Sequence, residues 1–195
     1  MKKLYWAMFG YVPRLKIWED ISHTENNLLK VFVSDLDNID DISAYLKHDL
    51  NKNNLFDAQL NIREKGYHID SIVLLESVQW YNIILWNKHS KDEWVVQYGI
   101  DDFADNLSSL EKKYAHSTDN KLYVLNIWYY QREEVLPIIQ WELRTYMLVI
   151  DINPIQALKR GEDIFTKKWI DGHVDNVMEI NNIDWYGIYL EKISN

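Results

Sequence analysis

Carboxylates are the only side chains of chemical consequence that this sequence gathers densely. Asp35, Asp37, Asp40 and Asp41 form one cluster, and Asp101, Asp102 and Asp105 form another. Three uses suit them. As caps and first-turn residues they complement the positive end of a helix. As a surface they attract a basic partner. As ligands they hold Mg²⁺ for phosphoryl chemistry. Capping needs no further assumption, and a capping residue can also face a partner. The metal use lacks a Lys or His at motif spacing, and it lacks the glycine and terminal glutamate of an EF-hand loop.

The other reactive types are dispersed. His23, His48, His68, His89, His116 and His173 show no metal-motif spacing, and no H-E-x-x-H, G-x-S-x-G, P-loop or G-x-G-x-x-G occurs. Glu111-Lys112-Lys113 matches the E-x-K half of a restriction-nuclease-like site. That motif needs a strand, where alternate side chains share a face, and here it closes a predicted helix. Cysteine is absent, which removes disulfides, thiolate nucleophiles and Cys-ligated zinc.

Secondary-structure signals place these groups. Apolar runs at Leu4–Val12, Leu28–Ser34 and Ile69–Leu75 read as strands, as do Trp80–Trp86, Trp94–Tyr98 and Lys121–Tyr130. The polar segment 87–93 suggests a long-looped hairpin between Trp80–Trp86 and Trp94–Tyr98. The first of these is apolar on both faces and reads as a helix-covered central strand, as does Trp128–Tyr130. Asp37 is expected to cap a helix with Ile39, Ile42, Leu46 and Leu50 on one face. Asp101 is expected to start a second, lined by Phe103, Leu107, Leu110 and Tyr114. Asn153 caps a third with Pro154 at its first position, lined by Ile155, Leu158, Phe165 and Trp169 and stopped by Gly172. Gln131–Asp151, interrupted by Pro137, reads as a helix giving way to a strand near Tyr146. Val177–Ile180 and Trp185–Ile193 read as two short strands joined near Asn181-Asn182, a pair with an open face beside the cluster Trp185, Tyr186 and Tyr189.

A capping pattern occurs at Leu36–Ile39, Ile100–Phe103 and Ile152–Ile155. Its uneven spacing favours shared capping chemistry over a true repeat. Parallel strands would bring the three helix starts to one rim, and mixed strand directions would scatter them. The expected fold is α+β: a single globular domain over 1–195 with a mixed, mostly antiparallel sheet and at least three packed helices.

Composition narrows the function. The net charge is −9 and the five arginines are scattered, so no basic patch serves nucleic acid. No stretch reaches bilayer length, and the apolar N-terminus meets Pro13-Arg14 without a cleavage site. The expectation is a cytoplasmic chain without membrane or nucleic-acid contact. Nine Trp and thirteen Tyr exceed what one core requires and suit a protein interface.

This profile of small size, acidity, abundant Trp and Tyr, no cysteine and no catalytic motif resembles bacterial toxin-neutralising immunity proteins, including those of contact-dependent growth inhibition. The resemblance implies a non-catalytic antitoxin that needs no cofactor and blocks a basic toxin domain, such as a nuclease. Its acidic contact set would be Asp35, Asp37, Asp40, Asp41, Asp101, Asp102 and Asp105. The alternatives are a metal-dependent phosphotransferase or hydrolase on an Asp rim, or a non-catalytic subunit of a larger complex.

Overall fold

The computed structural model describes residues 1–13, 26–52, 62–88, 95–132, 140–168 and 171–194. They form an α+β fold of three antiparallel sheets and three helices. The chain divides into two compact units, Met1–Leu75 and Glu76–Asn195.

In the first unit, β1 (Lys3–Pro13), β2 (Asn26–Ser34) and β3 (Ile62–Leu74) make a sheet in the order β2-β1-β3, with α1 (Ile39–Lys52) between β2 and β3. Alternation along β1 brings Tyr5, Ala7 and Phe9 to one face. They form a core with Phe32, Ile42 and Leu46. Tyr5 stacks on Phe32 at 5.6 Å between ring centroids and donates its hydroxyl proton to the Leu36 carbonyl at 2.9 Å. The cap of α1 is Asn38, one residue beyond the expected Asp37. Its Oδ1 accepts from the Asp40 amide at 2.9 Å, and its carbonyl accepts from Ile42. Asp40 and Asp41 occupy the first turn as expected.

The second unit holds two sheets. One is formed by β4 (Ser77–Val78), β5 (Tyr81–Asn87), β10 (Asn182–Ile183) and β11 (Tyr186–Lys192) in the order β10-β11-β5-β4. The other is formed by β6 (Val95–Gly99), β7 (Lys121–Arg132), β8 (Gln140–Asp151) and β9 (Gly172–Ile180) in the order β6-β9-β7-β8. α2 (Ile100–Tyr114) follows β6, and α3 (Pro154–Lys168) follows β8. Tyr123, Leu125 and Ile127 of β7 pack with Val174 and Val177 of β9, Phe103 of α2, and Ile155, Leu158 and Phe165 of α3. Gly161 of α3 is required by close packing. A Cβ there would come within 2.6 Å of Leu125 and 2.8 Å of Val174.

Several expectations change. β5 and β6 do not pair with each other: β5 lies between β11 and β4, while β6 joins β9. Residues 140–151 are strand throughout, because each pairs with β7. Gly172 opens β9, four residues after α3 ends at Lys168. α2 begins at Ile100, so Asp101 lies within the helix instead of starting it. Non-helical dihedrals at Asn106 break the helix's phase. Phe103 is consequently buried while Leu107, expected on the same face, is 42 % exposed. Asn153 does cap α3, its Oδ1 accepting from the Gln156 amide at 2.9 Å. The hairpin loop at 89–94, Pro137 and Trp169 lie outside the described residues.

Candidate functional site

One face of the β10-β11-β5-β4 sheet is open and aromatic. Register pairs Asn82 with Glu191, Ile84 with Tyr189 and Trp86 with Gly187, so these six share a face. Trp86 is 50 % exposed, Tyr189 58 % and Ile84 38 %. The other face, with Tyr81, Ile83, Leu85, Tyr186, Ile188 and Leu190, is partly buried. The expectation that helices cover the Trp80–Trp86 strand is therefore corrected; the open face expected of the C-terminal strands is found on β11, which pairs with β10 and β5 and not with the Val177–Ile180 strand.

Two tight turns extend the aromatic surface. β4 joins β5 through Gln79-Trp80, and β10 joins β11 through Asp184-Trp185. Gln79 and Asp184 adopt left-handed φ of 54° and 53°, as primed hairpin turns require at their first central residue. The tryptophans follow at the tips, Trp80 69 % and Trp185 48 % exposed. Gly187 is needed where Trp86 lies over it, because a Cβ there would enter the indole. The Lys88 ammonium sits 5.3 Å from the Trp86 ring centroid, in cation–π range. Trp86, Tyr189 and Ile84 share this face, with Trp80 and Trp185 exposed in turns at its two ends, and exposed apolar side chains grouped on one face mark a contact surface.

A second constellation is buried at one end of the β6-β9-β7-β8 sheet. Glu179 is only 3 % exposed. Its Oε1 accepts from Lys121 Nζ at 2.6 Å and from Asn181 Nδ2 at 2.7 Å, and its Oε2 faces the hydroxyls of Tyr114 and Tyr123, each 3.5 Å away. Tyr98 hydrogen-bonds Tyr114. Burial, and then the Tyr98 hydrogen bond and the Glu179 charge, push the Tyr114 hydroxyl well above its ordinary pKa. Burial and the same carboxylate raise Tyr123. Both hydroxyls therefore stay protonated, and the cluster positions a carboxylate. Nearby, Asp151 accepts from the Arg160 guanidinium at 2.8 Å. The pair borders an open recess of about 470 Å³, with Lys159, Asp163 and Lys167 on its wall.

The expected acidic set is divided. Asp35, Asp37, Asp40 and Asp41 belong to the first unit, and Asp101, Asp102 and Asp105 lie at the start of α2 in the second. Asp35 and Asp37 pair with Lys2 and Lys3 at 3.1 and 2.7 Å, and these lysines hold both carboxyls below the usual range. Asp40, Asp41, Asp101 and Asp105 are exposed. In the second unit, β6 and β8 run in opposite directions through the antiparallel chain of pairings. α3 therefore begins at the Lys121 end of the sheet, whereas α2 begins after Gly99, level with Asn176 midway along β9, and the two helix starts do not share a rim. Among the described residues, no three His, Asp or Glu side chains converge as a metal cage. No described helix is long and apolar enough to cross a membrane.

No family model matches the chain, and no curated protein is significantly similar to it. Among solved structures, the chain is similar to protein Il1583 from Idiomarina loihiensis. They share 15 % identity over all of this chain and 89 % of that one, with a TM-score of 0.49. The likeness is too distant to bear on function.

Proposed function

We propose that this chain is a binding protein of the immunity type, which neutralises a basic toxin domain by docking it on the open face of β5 and β11. The observation that carries this reading is the exposed set Trp80, Trp86, Trp185 and Tyr189, joined by Ile84. Trp and Tyr are the side chains that most often dominate interface energy. Charge supports the choice of partner: residues 76–195 hold nineteen Asp and Glu against twelve Lys and Arg. Such an imbalance speeds the approach of a basic protein, while the aromatic centre slows its escape. The role of the Asp clusters in this reading is long-range attraction.

The test has two stages. The tagged protein captures partners from its host at low and at high salt, alongside a Trp86→Ala/Tyr189→Ala variant. The captured partner is then expressed alone and together with this chain. The expected result is a basic protein lost by the variant, toxic alone and harmless in co-expression. A partner retained equally by the variant would remove the aromatic face, and a partner without toxicity would remove the immunity reading.

A further inference from the structure

The two tryptophan turns belong to a longer match. His68–Leu85 aligns without gaps with His173–Leu190, 105 residues later, with six identities: His68/His173, Asp70/Asp175, Trp80/Trp185, Tyr81/Tyr186, Ile83/Ile188 and Leu85/Leu190. Lys3-Leu4-Tyr5 at the start of β1 likewise returns as Lys121-Leu122-Tyr123 at the start of β7. Pairing follows the sequence. Tyr5 lies between Phe32 and Leu74, and Tyr123 lies between Val149 and Glu179. β1 slips against β3 between Met8 and Phe9, bulging out Asp70, and β7 slips against β9 between Asn126 and Ile127, bulging out Asp175. A one-residue bulge is a specific feature, and its recurrence at matched positions with the same residue type is hard to obtain by chance.

We infer that the chain is a tandem duplication of one module, and that the β5–β11 seam is a two-fold self-association surface fixed within a single polypeptide. The first copy is β1-β2-α1-β3-β4-β5 and the second is β7-β8-α3-β9-β10-β11, with β6 and α2 inserted between them. Strand orders β2-β1-β3 and β8-β7-β9 coincide. The four-stranded sheet carries the symmetry in its hydrogen bonds. Ile83 N donates to Glu76 O at 2.8 Å, and its counterpart Ile188 N donates to Asn181 O at 2.9 Å. Lys88 N donates to Trp185 O at 2.7 Å, and Ile193 N donates to Trp80 O at 2.9 Å. Ile84 and Tyr189, which are counterparts, pair with each other at the centre. On this inference Leu36–Ile39 and Ile152–Ile155 lie at equivalent strand-to-helix junctions, though the cap is Asn38 in one and Asn153 in the other, and Ile100–Phe103 belongs to the insertion.

The symmetry makes two face pairs interchangeable. Trp86 over Gly187 is the counterpart of Glu191 beside Asn82. The test moves the tryptophan–glycine pair across the axis in the full chain. Trp86→Glu/Gly187→Asn removes the pair, and adding Asn82→Gly/Glu191→Trp rebuilds it at the counterpart positions. Gly187→Asn alone drives a side chain into the indole and should lower the thermal midpoint by about 3–10 °C. The fourfold variant should melt above the double variant, though short of wild type because Lys88 stays behind. A fourfold variant that melts at or below the double, or that fails to fold while the double folds, would overturn the equivalence. If the double does not fold, folding of the fourfold variant supports the duplication and its failure contradicts it.

Discussion

Tyr5 and Tyr123 open matched strands, yet their neighbours differ in kind. Tyr5 sits opposite Leu74 and sends its hydroxyl to the Leu36 carbonyl, in an end of the sheet closed by Phe32 and α1. Tyr123 sits opposite Glu179, whose carboxylate is held by Lys121, Asn181 and a second tyrosine. The matched lysines follow suit: Lys3 reaches the exposed Asp37, and Lys121 reaches the buried Glu179. The same strand geometry thus accommodates an aliphatic end in one unit and an ionic one in the other. The difference arises from the insertion, because Tyr98 and Tyr114 come from β6 and α2. A buried carboxylate requires partners on every side, and in the second unit β6 and α2 help to provide them.

Breaking the ionic end should have the largest effect. Glu179→Ala removes the acceptor shared by Lys121, Asn181, Tyr114 and Tyr123 and should cost about 3–5 kcal/mol in denaturant unfolding. Glu179→Leu/Lys121→Met, which imitates the aliphatic end, should recover part of that loss, the remainder staying with Asn181 and the Tyr123 hydroxyl, which lose their acceptor. Leu46→Ala in the core of the first unit should cost about 2–5 kcal/mol, set by packing and independent of pH.

Alkali sharpens the contrast. The hydroxyls of Tyr114 and Tyr123 have pKa values raised in the folded protein, so unfolding releases their protons more readily. Their contribution is complete below about pH 10, the ordinary tyrosine value, and is lost as pH rises beyond it. Stability should therefore fall above pH 10, and Tyr114→Phe/Tyr123→Phe should flatten that fall in a pH series of chemical melts. The smallest effect is expected at the surface pairs. Asp35 and Asp37 have lowered pKa values, a contribution present at neutral pH and lost on acidification through the folded values. Both are fully exposed, so Asp35→Asn/Asp37→Asn should leave the melting curve at pH 7 unchanged within error.

Much of the fold was legible where the signal is local. The strands at Leu4, Leu28, Lys121 and Trp185 follow from apolar runs, and Asn153-Pro154 declares the start of α3. Strand pairing is not local. The segments Trp80–Trp86 and Val95–Gly99 are neighbours in sequence, yet β5 pairs with β11, about a hundred residues away. The segment 140–151 carries Glu142, Arg144 and Met147, which suit a helix, and its pairing along β7 overrides that preference. Trp80 and Trp86 read as core because large aromatics usually are. Their exposure follows from a turn and an open face that composition cannot reveal. Nothing near Glu179 in sequence announces Tyr98, Tyr114 and Tyr123 as its neighbours. The duplication was visible in His68–Leu85 and His173–Leu190, but the capping pattern drew attention to three sites of which only two are equivalent.

The central functional claim is that the aromatic face, and not the acidic clusters, supplies most of the affinity. Titration calorimetry of the captured partner tests it on three proteins: wild type, Trp86→Ala/Tyr189→Ala, and Asp101→Lys/Asp105→Lys. Loss of at least about 2 kcal/mol of binding energy in the aromatic variant, with a smaller, salt-sensitive loss in the charge variant, is the expected result. Unchanged affinity in the aromatic variant, with its melting curve intact, would contradict the claim.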